Sequence, residues 1–227
     1  MEWLLPRLSG NPGTAFELGA NMGAALSLLQ RAGWSVHGAD YGRAHIEAGR
    51  DISGVPNLLV GGIDQLEALG IRPNLFVLQH VLEHFADIGS QLERIRALLA
   101  PEGLLYIEVA GVYGWLVERW RGDLLLYLQN ADMYHFSLST LDDVMGRSGF
   151  ERSAGDEHIH GLYRVTRTPR VDTQRDSTEA ARVEDHLRRL ERRQTPKLAM
   201  SWASRTLGIS TSIAVARRGV ALLRQKR

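Results

Sequence analysis

Two acidic residues, Glu17 and Asp40, bracket the run FELGANMGAALSLLQRAGWSVHGAD, from Phe16 to Asp40. Glu17 ends a short apolar stretch and leads into a turn containing Gly19, Asn21 and Gly23. A helix-length pattern follows, and Asp40 closes the next apolar stretch. Glycines in such a turn let the backbone approach a ligand, and a carboxylate at the end of the second strand accepts both hydroxyls of a ribose. A nicotinamide-binding turn reads G-x-G-x-x-G and aims a helix start at a pyrophosphate. Here the turn begins with a carboxylate, which is awkward beside a pyrophosphate and useful beside a cation. The constellation favours a cofactor that carries an ammonium and a sulfonium. Asn21 suits the turn because asparagine tolerates left-handed backbone angles better than other non-glycine residues.

These residues need a sheet to hold them. Short apolar runs alternate with amphipathic stretches of helical length, the pattern of a parallel sheet wrapped by helices. Strands are expected at about 14–18, 34–39, 57–60, 74–79 and 104–109. Ala24 to Ala32 reads as a helix stopped by Gly33, and Ile88 to Leu99 as a second with Ile88, Leu92, Ile95 and Leu99 on one stripe. Gly111 to Asn130 is rich in leucine and aromatic residues, and a further helix is expected from Ser139 to Ser148. Two last strands, about 150–154 and 161–167, form an antiparallel edge. The fold class is α/β, doubly wound around a mostly parallel seven-stranded sheet, with a C-terminal helical extension.

The turn-rich PRVDTQRDS segment sets the boundary, giving a domain over 1–170 and a basic helical extension over 171–227. The chain has 227 residues, 44% of them apolar, enough for a sizeable core. Its formal net charge of +1 conceals a division. Residues 1–171 hold 14 basic and 20 acidic side chains, a balance of −6, whereas 172–227 hold 13 and 6, a balance of +7. Two short amphipathic helices are expected in the extension, one on Val183, Leu187 and Leu190, the other on Ile213, Ala216, Val220 and Leu223, separated by Thr195 and Pro196. With no cysteine, thiolate metal sites, disulfides and cysteine nucleophiles are excluded. His158 and His160 alternate along the last strands without convincing further ligands, so no metal site is expected. No stretch approaches the roughly 20 apolar residues that span a bilayer.

From Thr14 to at least Phe150 the chain resembles the class I S-adenosylmethionine-dependent methyltransferases, in particular their small-molecule branch. ELGANMG is similar to that family's first motif, with Asn21 at the place of its middle glycine. VGGIDQL, NLFVLQHVLEH, LLAPEGLLYIEVAG and YHFSLSTLDDVMGRSGFE resemble its later motifs in order, with Gly62 and Asn74 where acids are usual. The resemblance implies a Rossmann-like methyltransferase fold with S-adenosylmethionine as cofactor. Glu17 would bind its methionine end, Gly19, Asn21 and Gly23 would line it, and Asp40 would hold the ribose. Tyr41 would pack on the adenine, with Gly62, Ile63 and Asp64 around it, and Gln79 would sit near the methyl group. A hydroxyl acceptor must lose its proton to a histidine or carboxylate. His84 is the expected base, Glu83 its orienter or substitute, and His135 the second candidate, with Tyr134 beside it; Gln79 and His80 complete the loop.

The resemblance extends to bacterial enzymes that modify sugars and surface polysaccharides. It implies O-methylation of a sugar hydroxyl, on a nucleotide sugar or a cell-surface glycan precursor, ahead of a quinone precursor or other small phenol. Trp115, Trp120 and Tyr113 would suit a ring-bearing acceptor or simply pack an insertion. An inactive methyltransferase-like scaffold is the rival reading, and a nicotinamide dehydrogenase ranks below it. The basic extension fits a homo-oligomer contact or peripheral attachment to an anionic membrane. No nucleic-acid partner is expected, since the acidic body has no continuous basic groove. The placement implied is cytoplasmic, or peripheral at the inner face of the membrane.

Overall fold

In a computed structural model the residues described are 1–8, 10, 12–114, 127–128, 131–166 and 178–206, with side chains through 193. The strands are β1 Thr14–Leu18, β2 Ser35–Asp40, β3 Leu58–Val60, β4 Leu75–Gln79, β5 Leu104–Glu108, β6 Phe150–Gly155 and β7 His160–Val165. Around them lie α1 Ala24–Arg31, α2 Arg43–Ser53, α3 Asp64–Leu69, α4 Ile88–Leu98, α5 Leu138–Arg147 and α6 Glu179–Thr206. The seven strands form one sheet in the order β3-β2-β1-β4-β5-β7-β6. The first five run parallel, and β7 pairs antiparallel with both β5 and β6. The expected seven-stranded sheet with an antiparallel edge is therefore present.

Its inner strands β1, β4 and β5 are buried on both sides because both faces are covered. Phe16, Leu18, Phe76, Leu78, Leu105 and Ile107 point to one face, against Leu92 and Ile95 of α4 and Leu141 and Met145 of α5. The alternate positions Ala15, Leu75, Val77 and Tyr106 point to the other, against Leu26 and Leu29 of α1 and Ile46 of α2. Capping fixes where helices begin. Asp87 accepts the Ser90 N–H at the start of α4, and Ser137 with Thr140 forms a reciprocal capping pair at the start of α5.

Several expectations change. Helices α2 and α3 fill two further connections, β2 to β3 and β3 to β4. His158 lies in the turn before β7 rather than in a strand, because Asp156 accepts its N–H and Ile159 takes a left-handed φ of 58°. The first helix of the extension does not stop at Thr195 and Pro196, since α6 runs through both as one 28-residue helix. A proline inside a helix forfeits one hydrogen bond and bends the axis, yet good helix formers on both sides carry the helix past it. The second expected helix, at 213–223, and the boundary segment 167–177 lie outside the described residues, as do Trp115 and Trp120. No described helix is long and apolar enough to cross a membrane.

The chain leaves β1 towards β2 on one side and returns to β4 on the other. The loops after β1 and β4 consequently diverge, opening a crevice at the carboxyl ends of these strands.

Candidate functional site

That crevice is a cleft of about 1020 Å³ whose walls are the β1, β2, β3 and β4 end loops. Of the residues expected around a cofactor, Glu17, Gly19, Asn21, Asp40, Tyr41, Gly62, Ile63, Asp64 and Gln79 line it. Gly23 does not; it caps α1 with a φ of 74° and closes the turn through its N–H on the Ala20 carbonyl. Asn21 adopts a φ of 49°, the left-handed conformation its residue type was expected to tolerate. At Gly19, φ is 76° and a Cβ would stand 2.4 Å from Val81 Cγ2, so only glycine fits between the turn and the β4 loop.

Glu17 is 3% exposed, and its Oε2 has no hydrogen-bond partner. Burial, reinforced by the nearby carboxylates of Asp40 and Glu108, pushes its pKa up to about 8. A buried carboxylate left open on the wall of an acidic cleft fits a cationic ligand. Asp40 is held in place by its own backbone surroundings: Oδ2 accepts the Asn21 N–H at 2.9 Å and Oδ1 accepts the Gly42 N–H at 2.7 Å. Tyr41 is 81% exposed and its hydroxyl end lies over Gly62, leaving the ring accessible to a planar group. Asp64 folds back on its own loop, accepting from the Gly62 N–H and from Gln65, and the latter bond holds its pKa below the usual range.

On the β4 side, Gln79 donates to Glu108 at 2.7 Å. His80, in a left-handed conformation (φ 53°), also lines the cleft. Its Nδ1 lies 3.3 Å from Glu83 Oε1, and this contact raises its pKa against the opposing effect of burial. Glu83 is 1% exposed, outside the cleft, and bonded to the Ala110 N–H as well. It therefore orients His80 and not His84, contrary to the role expected for it, because the short 3-10 turn Leu82–His84 sends the two side chains in different directions.

His84 does line the cleft. Its Nδ1 lies 2.9 Å from the Ala131 carbonyl, which can only accept, so the neutral ring carries its proton on Nδ1 and leaves the Nε2 lone pair available. Its acidic neighbour is Asp132, with Oδ1 3.4 Å from Nδ1. His135 is not brought to the cleft. It faces a second cavity of about 530 Å³ beside α5 and α6, and burial lowers its pKa. Phe136 is buried in the core while Tyr134 is 40% exposed.

Two residues of this site escaped the sequence reading. Glu108 ends an apolar strand just as Glu17 does, so the same signal marks it. Asp132 carries no such mark, since it sits 48 positions from His84 and is joined to it only by the fold.

The profile of the methyltransferase-domain family matches residues 2–152. C-methyltransferase NovU of Streptomyces niveus is 31% identical over 130 residues, which cover 55% of this chain and 30% of that protein. The chain thus spans less than a third of this relative's length. Magnesium protoporphyrin IX methyltransferase of Synechocystis, solved with bound SAH, superposes with a TM-score of 0.51 at 16% identity, covering 74% of this chain and 80% of that one. Mitomycin 7-O-methyltransferase MmcR does so with a TM-score of 0.54 at 17% identity over 68% of this chain and 49% of that one. At such identities the two structures speak for the fold, and the family match spans two thirds of the sequence. The glycine turn between paired acids, the sheet order and the matched family thus agree: the chain belongs to the class I S-adenosylmethionine-dependent methyltransferases.

Proposed function

We propose that the protein transfers the methyl group of S-adenosylmethionine to a small-molecule acceptor, with a sugar hydroxyl on a nucleotide sugar or glycan precursor as the leading class. One observation carries this reading: the buried, unpaired Oε2 of Glu17 on the wall of the cleft. With a pKa of about 8 the group stays protonated in the free protein and ionises against a cation, which the cofactor's ammonium and sulfonium supply. Asp40 offers oxygen acceptors to the ribose hydroxyls, Gly19 lets the turn lie close against Val81 at the edge of the cleft, and the exposed ring of Tyr41 receives the adenine. The cofactor supplies a methyl group already activated as an electrophile by its sulfonium. The chain's own task is then to hold the acceptor in line and remove its proton.

His84 performs the second part. With Nδ1–H fixed on the Ala131 carbonyl, its Nε2 lone pair is the proton acceptor on the cleft wall. His80 and Gln79, both tied to Glu108 or Glu83, shape the floor beside it. A second reading is favoured by the similarity to a C-methyltransferase. The acceptor atom would then be a carbon next to a carbonyl, whose proton His84 would remove in the same way.

The test pairs binding with turnover. S-adenosylmethionine should bind in calorimetry, and His84→Gln should keep that affinity while losing about a hundredfold or more of the methyl transfer found in a screen of nucleotide sugars, keto sugars and phenols. Absence of binding at millimolar cofactor would remove the cofactor assignment. Full turnover in His84→Gln would remove the base.

A further inference from the structure

The acidic partner of His84 lies on a different element, the segment that leads into α5. Asp132 is 10% exposed, with Oδ1 3.4 Å from His84 Nδ1 and Oδ2 3.8 Å from His135 Nε2. His135 Nε2 is buried and makes no hydrogen bond, so it does not satisfy the carboxylate, and burial favours its neutral form. Of the two histidines beside it, Asp132 is nearer to His84.

We propose that Asp132 is a positioning residue, which acts beside the Ala131 carbonyl to hold His84 with Nδ1 protonated and Nε2 turned to the cleft and which balances the imidazolium formed when the acceptor gives up its proton. This rests on the reading of His84 as the base. The segment is built to hold such a carboxylate still. The Met133 N–H donates to the Glu83 carbonyl at 2.9 Å, which ties it to the turn that carries His84. Phe136 anchors its far end in the core. His135 packs edge-on against Tyr127, 5.0 Å between ring centroids, and the Tyr127 hydroxyl donates to the Gly111 carbonyl at 2.6 Å. A carboxylate fixed in this way can only accept and so favours the Nδ1-protonated imidazole, whereas an amide can present either its oxygen or its N–H and loses that one-sided preference.

The test uses the full chain, with histidine nitrogens labelled and the His84 signals assigned through His84→Gln. At a pH where the rings are neutral, His84 should show the Nδ1-protonated tautomer in the wild type and a measurably larger Nε2-protonated population in Asp132→Asn, where the Ala131 carbonyl alone holds the Nδ1 proton. Asp132→Asn should also lower kcat by about tenfold or more while the calorimetric affinity for S-adenosylmethionine stays within about twofold. Asp132→Glu, which retains the acid, should recover part of the loss. Mixed tautomers in the wild type, or an Asp132→Asn protein with unchanged His84 signals and turnover, would overturn the inference. The tautomer measurement needs no acceptor, so it separates this inference from the assignment of His84 as base, which fails only where His84→Gln keeps full turnover.

Discussion

Asp40, the last residue of β2, accepts the backbone N–H of Asn21 at 2.9 Å, so the acid that closes one strand holds the turn that leaves its neighbour. Its other oxygen takes the Gly42 N–H at 2.7 Å. Both bonds exist without ligand, which gives Asp40 a structural duty beside its expected one towards a ribose. Charge-assisted hydrogen bonds contribute about 1.5–3 kcal/mol each when buried, and the partial exposure here puts the pair nearer ~2 kcal/mol in total. Asp40→Ala is expected to lower the melting temperature of the cofactor-free protein by several degrees, at roughly 2–4 °C per kcal/mol, and to abolish detectable cofactor binding. An unchanged melting temperature would confine Asp40 to ligand contact.

Glu17 makes the same cleft sensitive to pH. Its pKa rises from the ordinary 4.5 to about 8 on folding, so between these values the folded state binds the proton and the unfolded state does not. Stability is thus fully present below 4.5 and is lost as pH climbs towards about 8, by up to ~1.4 kcal/mol per pH unit. Glu17→Gln should flatten this part of the stability curve. A cationic ligand favours the ionised carboxylate, so S-adenosylmethionine binding near pH 6.5 should release close to one proton. Calorimetry in buffers of different ionisation enthalpy measures that release, and Glu17→Gln should abolish it. A buffer-independent binding heat in the wild type would contradict the role of Glu17.

Two glycines of the cleft separate backbone need from simple proximity. Gly19 has a φ of 76° and Val81 Cγ2 where a Cβ would go, so Gly19→Ala meets both backbone strain and a clash with a half-buried side chain. The strain alone costs about 1–2 kcal/mol, and the shifted turn should weaken cofactor binding as well. Gly62 is free of that φ, and its Cβ would meet the hydroxyl end of Tyr41, a side chain 81% exposed. Tyr41 can swing away, so Gly62→Ala should leave the melting temperature nearly unchanged. Thermal melts of the two variants side by side check the contrast; equal losses would refute it.

The sequence shows most clearly what local pattern encodes. Strands β1, β2, β4 and β5 announce themselves as apolar runs because helices bury both their faces, and Glu17 and Asp40 stand out as acids that interrupt those runs at their ends. Helix α2 is harder to see because Gly49 interrupts it. That glycine serves packing, since a Cβ would stand 2.7 Å from the Met22 backbone, a contact no local window reveals. Helix α3 has six residues, too few to show a period. The catalytic side is legible only in its residue types. QHVLEH announces histidines and an acid, and proximity in sequence suggests Glu83 for His84. The 3-10 turn instead gives Glu83 to His80, and the partner of His84 arrives from 48 positions away.

The boundary drawn near residue 170 treats the extension as an appendage, yet α6 is packed on the body through described contacts. Leu190 is 5% exposed and packs with Tyr127, Leu187 and Ala110. Tyr113 donates to Glu179, and its ring meets His186 edge-on, 4.9 Å between centroids. Tyr127 in turn packs on His135, beside Asp132. Removing a buried leucine side chain costs about 2–5 kcal/mol, and a helix at one edge of the body sits at the lower end of that range. Leu190→Ala should therefore lower the main unfolding transition by several degrees and, through Tyr127 and His135, disturb the His84 signals. If α6 were an independent appendage, the main transition would stay in place and the variant would change only helix content. Calorimetric melting of the full chain, with the His84 resonances followed in parallel, decides between the two.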